Sequence, residues 1–279
     1  MTELLSPAGG REALVAAVQN GTDAVYMGFG SFNARRSARN FSDEEFLAAV
    51  RYCHLRGVKV YLTLNTLVTD RELPALAETA RRASEYGVDA ILVQDWGVYE
   101  TLRAVIPDVP LHASTQMALH TLSGVEEAAR FGMTRAVLAR ELSGEELREI
   151  AERAPIEIET FAHGALCMCY SGMCEMSAVI GGRSGNRGAC AQPCRLRYGW
   201  HGKADANPLS LKDANLAAYA GEMAEMGVAC LKLEGRMKRP EYVAAVTGIY
   251  AALLREHRAP TADEQKKLAL AFSRDGFTD

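Results

Sequence analysis

Amphipathic stretches of helical period alternate with short apolar runs along the chain, and a glycine stands at most of the changeovers. Gly21 precedes DAVYMGF, Gly57 VKVYLTLN, Gly87 VDAILVQD, Gly132 MTRAVLAREL and Gly227 VACLKLEG. Glycine at that place closes a helix in the left-handed conformation before the chain turns into a strand, so each marks a helix-to-strand junction. ELLSPAG at the start, PLHASTQM near 110 and IEIETFAHG near 156 read as three more strands. Ser42 with Glu45, Ser143 with Glu146 and Thr261 with Glu264 fit capping boxes at helix starts.

Eight strands alternating with helices predict a (β/α)8 barrel of the TIM type. A doubly wound open sheet would share the alternation, but no G-x-G-x-x-G follows the first strand. A barrel gathers its chemistry at the carboxyl ends of its strands. Ser6, Asn65, Gln94, Asp95, Ser114, Gln116, Arg140, Glu141, Glu159, His163, Glu234 and Arg236 are therefore expected to face one mouth.

Composition narrows the class without naming a function. The chain has 279 residues, 48% hydrophobic and 24% charged, with a net charge of −4, as for a globular protein with one substantial core. Its amino terminus has no secretory pattern, and no apolar run approaches the roughly 18–20 residues of a membrane span. A reducing cytoplasm and no membrane association are expected. Residues 1–258 read as the barrel domain with an insertion at about 164–204, and 259–279 as the start of a further C-terminal region that is cut short.

Five of the seven cysteines lie between Cys167 and Cys194. A disulfide framework belongs to small secreted domains, so the cluster reads as a metal site. Cys167, Cys174, Cys190 and Cys194 form a C-x6-C-x15-C-x3-C array. Structural zinc prefers two short knuckles, whereas iron–sulfur clusters accept irregular spacing; both remain open. Cys169 is a spare thiol or a ligand in place of Cys167. Cys53 and Cys230 read as buried small hydrophobes. His163 and Cys167 invite a base-and-thiol reading, but no third partner, H-E-x-x-H or G-x-S-x-G accompanies them.

From Met176 to Ala204 there is no acid, while Arg183, Arg187, Arg195, Arg197 and Lys203 are present. FNARRSARNF adds Arg35, Arg36 and Arg39, and EGRMKRPEY adds Glu234, Arg236, Lys238 and Arg239. Such clusters at one rim suit RNA or an acidic metabolite. GGRSGNRG offers flexible N–H groups but lacks the lysine and hydroxyl residue of a phosphate loop.

ELLSPAG, DAVYMG, the NAR of Asn33–Arg35, ETFAHGALCMCYSGMC, GNRGACAQPCR, SLKD and KLEGRMK together resemble the collagenase-like peptidase U32 family over nearly the whole chain. That resemblance implies an iron–sulfur enzyme that hydroxylates RNA pyrimidines, as in ribosomal 5-hydroxycytidine or transfer-RNA wobble uridine, or else ubiquinone precursors. It implies prephenate, a dicarboxylate, as hydroxyl donor, and a 4Fe–4S cluster on Cys167, Cys174, Cys190 and Cys194; a cysteine at 169 departs from the family pattern. Asn33, Arg35, Arg183, Arg187, Arg195 and Arg236 are the expected anion-binding residues, and Glu159, His163 and Glu234 the expected proton-handling ones. The alternatives are a metal-independent collagenase-like peptidase and a zinc-stapled RNA-binding module.

Overall fold

The computed structural model describes residues 2–30, 32–34, 41–200, 202–273 and 276–278. Eight parallel strands close on themselves: β1 (Glu3–Ala8), β2 (Ala24–Met27), β3 (Lys59–Leu64), β4 (Ala90–Val93), β5 (Leu111–Ala113), β6 (Arg135–Val137), β7 (Glu157–Ala165) and β11 (Cys230–Leu233). β6 pairs with β7, β7 with β11, and β11 with β1 through Glu3 opposite Cys230. That last pairing closes the ring and excludes the open sheet. Between β7 and β11 lie a hairpin, β8 (Tyr198–Trp200) and β9 (Lys203–Ala206), and β10 (Asp213–Asn215).

Helices α1 (Arg11–Gln19), α2 (Asp43–His54), α3 (Leu73–Glu85), α4 (Trp96–Val105), α5 (Leu122–Arg130), α6 (Gly144–Arg153), α8 (Ala220–Glu225) and α9 (Pro240–Glu256) follow the barrel strands; α7 (Met176–Gly181) belongs to the cysteine segment and α10 (Ala262–Ala271) comes last. All three expected capping boxes form, at Ser42, Ser143 and Thr261. The helix-closing glycines hold the left-handed conformation, with φ of 89° at Gly87 and 90° at Gly227.

Strand alternation splits the apolar residues into two cores. Leu5, Tyr26, Tyr61, Leu92, Val137, Phe161 and Cys230 fill the barrel. Leu14, Phe46, Leu62, Leu76, Leu102 and Tyr250 pack in the layer between strands and helices. Charges also enter the barrel, each paired as burial requires. Arg135 binds Glu3 at 2.8 Å, Glu157 at 2.7 Å and Glu159 at 3.4 Å, and Glu159 binds Lys232 at 2.7 Å.

Two details depart from the sequence-based expectation. SLKDANLAAYAGEMAEMG, which fills the place of one helix before the last barrel strand, contains β10, a 3-10 turn at Ala217–Tyr219 and the short α8. β7 runs nine residues where β6 has three and β11 four, and its overhanging edge takes up β10 antiparallel, Asn215 opposite His163. The register also slips where β7 meets β11: Phe161 lies opposite Lys232, but His163 lies opposite Leu233. Ala162 is the extra residue, and the bulge turns His163 out of the barrel.

Candidate metal and substrate site at the barrel mouth

The segment after β7 is stitched onto the mouth by contacts with several barrel loops. Ser171 donates from its backbone N–H and its hydroxyl to Glu141 Oε1, at 2.7 and 3.1 Å. Gly172, at φ +76°, lies so close to Gln116 that an added Cβ would sit 2.1 Å from the Gln116 carbonyl oxygen. Arg187 donates to both carboxylate oxygens of Glu72, at 2.7 and 3.1 Å, and to the Leu67 carbonyl. Arg195 donates to the carbonyls of Leu166 and Leu211 and to Ser210, gathering the two ends of the segment.

Held this way, Cys167, Cys174, Cys190 and Cys194 line one cavity of about 530 Å³, with Arg183, Arg195 and Gln192 in its wall. Cys169 does not line it. Burial pushes the Cys194 thiol up, against the opposing influence of Arg195. Among the described residues, no three His, Cys, Asp or Glu side chains stand close enough to hold a single ion.

Beside this cavity a throat of about 50 Å³ leads into the barrel, lined by Tyr26, Thr63, Asn65, Ser114, Phe161, Lys232, Glu234 and Arg236. Ala34, Thr115, Gln116 and Arg140 border both spaces, so the thiol cavity and the throat are neighbours across a shared wall. Arg140 is the partition: its guanidinium lies 3.8 Å from the Phe161 ring centre, donates to Glu234 at 3.3 Å and to Ala165 O at 3.1 Å, and its buried Nε has no hydrogen-bond partner among the described residues. Arg236, buried, donates to Thr63 at 2.8 Å and to Asn33 Oδ1, which brings two sequence-selected residues together.

The other expectations divide. Glu234 reaches the throat. Glu159 does not: it is fully buried lower in the barrel, saturated by Lys232 and Arg135. His163 faces the helix layer, with Nδ1 3.5 Å from the Tyr250 hydroxyl and its ring 5.5 Å from Phe277; burial holds it down to about 4. Arg187 and Arg195 are committed to protein partners instead of an open anion site, whereas Arg183 is exposed at the thiol cavity with Nε on Ala189 O. Arg35 lies outside the described residues, as do Arg36 and Arg39. Ser6 bonds Thr247, and Asp95 caps α4. Lys232 went unnoticed; its signal is a lysine at an inward position of an otherwise apolar strand, CLKLEG.

With that geometry in place, comparison with known proteins is informative. The description of peptidase family U32 matches residues 9–279. The chain belongs to this family. A tRNA hydroxylation protein of Bacillus subtilis is 38% identical over 264 residues, covering 90% of the chain and 63% of that protein. A 23S rRNA 5-hydroxycytidine synthase of Escherichia coli is 40% identical over 260 residues, covering 90% of the chain and 39% of the synthase. The chain thus spans less than two thirds of either U32 relative. A collagenase of Porphyromonas gingivalis is 35% identical over 303 residues, covering 99% of the chain and 72% of the relative. A solved U32 peptidase shares the fold, with a TM-score of 0.57 at 18% identity over 84% of this chain and 93% of that one. No helix among the described residues is long and apolar enough to cross a membrane.

Proposed function

We propose that this chain hydroxylates a pyrimidine in ribosomal or transfer RNA, using a 4Fe–4S cluster on Cys167, Cys174, Cys190 and Cys194 and a small dicarboxylate, prephenate, as the hydroxyl source. The observation that carries the reading is a four-thiol cavity that shares its wall, at Gln116 and Arg140, with a cation-lined throat. Relatives named for tRNA hydroxylation and rRNA hydroxycytidine synthesis agree with it.

The donor set supports iron–sulfur over zinc. One zinc ion, with Zn–S near 2.3 Å, needs its sulfurs within about 4.6 Å of one another, whereas a four-iron cluster seats each cysteine on a different iron. Four thiols lining one cavity of about 530 Å³ offer a cysteine for each iron. When bound, the cluster supplies one-electron chemistry beside the throat. Lys232 and Arg236 hold a carboxylate at the throat floor, Phe161 and Tyr26 exclude water from it, and Glu234 moves a proton at the mouth under the restraint of Arg140. An RNA substrate, as in the relatives' names, supports a cytoplasmic location for this work.

Proteolysis, the reading that the collagenase relative favours, gets no support from a His163–Cys167 pair, because the His163 ring packs against Tyr250 of α9. The deciding experiment is mass spectrometry of RNA nucleosides from cells with and without the gene, paired with iron and zinc content of anaerobically purified protein. A hydroxypyrimidine should vanish and about four irons per chain be found. Unchanged hydroxypyrimidine content rejects the RNA reading, and zinc without iron rejects the cluster.

A further inference from the structure

The cysteine segment carries side chains that the proposed chemistry leaves unused. Met168, Tyr170 and Met173 are interleaved with the cavity cysteines and stand exposed, Tyr170 by 70%. Leu196 and Met237 line the thiol cavity and are also more than half exposed, on two different loops. Soluble proteins seldom leave such a concentration of large apolar side chains around one opening without a use for it.

Charge decides what the rim fits. The chain as a whole is acidic, yet Met176 to Ala204 has no acid, and the exposed Arg183 stands in the same cavity wall. An apolar surface with an aromatic, next to a long acid-free stretch that supplies Arg183 and Leu196, suits an unpaired polyanion whose bases stack and whose phosphates are neutralised. We infer that Tyr170, next in the chain to the cavity-lining Ser171, with Met168 and Met173 exposed on either side of it in sequence and Leu196 and Arg183 in the cavity wall, is a stacking platform that holds single-stranded RNA at the lip of the thiol cavity. This rests on the RNA reading above. A base held there is already out of its helix, which chemistry on a base requires.

The test is fluorescence anisotropy of a labelled single-stranded pyrimidine RNA with the 279-residue protein, purified anaerobically. Tyr170→Ala should weaken binding roughly 5- to 100-fold, the loss of one stacked base, while Tyr170→Phe stays within about twofold of the wild type. Arg183→Gln should reduce the slope of log affinity against log salt by about one. Circular dichroism and iron content matching the wild type guard against unfolding, and Met173→Ala provides an independent smaller loss. Wild-type affinity in Tyr170→Ala, or equally tight binding of duplex RNA, overturns the platform while leaving the RNA reading intact. A wild-type protein that binds no RNA overturns both. If the patch instead joins two copies of the chain, sedimentation will show a dimer that Tyr170→Ala abolishes with RNA affinity unchanged, and the platform falls.

Discussion

Arg187 clasps Glu72 through two hydrogen bonds and so ties the cysteine segment to the loop after β3. The guanidinium, with help from Thr69, holds the Glu72 carboxyl down to about 2, so the clasp persists through the mildly acidic range. A half-exposed pair adds little to global stability, and its effect is local positioning. Arg187→Gln or Glu72→Gln should leave the melting temperature nearly unchanged but speed limited proteolysis between 176 and 196. Equal cleavage rates would show that the segment is held by its other contacts.

Cys169 is predicted to be dispensable for metal binding. Cys169→Ser should retain the wild-type iron content, whereas Cys167→Ser should lose most of it, because only Cys167 lines the shared cavity. Iron analysis after anaerobic reconstitution checks this, and the reverse order would exchange the two roles.

Gly172→Ala is predicted to dislodge the segment. The new methyl would collide with the Gln116 carbonyl, and the positive φ adds strain of order 1 kcal/mol or more. The expected readout is a loss of iron retention with secondary structure preserved, measured by metal analysis and circular dichroism.

His163 gives the fold an acid limit. Its ring is neutral in the folded state down to about 4, while in the unfolded chain it protonates near 6.5, so stability is present above 6.5 and drains away as pH falls toward 4. The shift corresponds to at most about 3 kcal/mol. His112, which burial inside the barrel holds well below its usual value, acts in the same direction. His163→Leu should therefore flatten, without abolishing, the acid limb of denaturant-derived stability between pH 7 and 4. An unaltered limb would mean that the ring is solvated.

The buried pair inside the barrel should respond asymmetrically. Glu159→Gln leaves Lys232 without a carboxylate and should cost about 3–5 kcal/mol, whereas Lys232→Met leaves Glu159 with Arg135 and should cost less. Urea titration of both variants tests the order.

The barrel was legible because period-2 and period-3.6 patterns, capping boxes and closing glycines all agree. β10 was not, since its pairing depends on how far β7 overhangs its neighbours, which no local pattern encodes. His163 was expected at the mouth because it stands at the carboxyl end of its strand, and the single extra residue at Ala162 turns it the other way. The four cavity cysteines were readable from spacing. The arginines were readable as charges but not as contacts: Arg195 binds backbone carbonyls at Leu166 and Leu211, and a carbonyl leaves no mark in a sequence. Lys232 was not legible as a site residue because its pairing with Glu159, 73 residues away, leaves no mark in the local pattern of CLKLEG.

The charges inside the barrel have a consequence for selectivity. Glu3, Glu157 and Glu159 balance Lys59, Arg135 and Lys232, so the stem is neutral in sum, yet the end that meets the throat is the Lys232 ammonium. Lys59 and Glu157 stand half exposed at the far end, whereas Lys232 and Glu159 are buried at the end toward the mouth, so the throat is met by a buried positive group. Salt weakens the pull of exposed arginines at the rim but scarcely reaches a buried ammonium. Raising the ionic strength should separate the two kinds of recognition, releasing a long polyanion from the surface while a small acid stays seated in the throat.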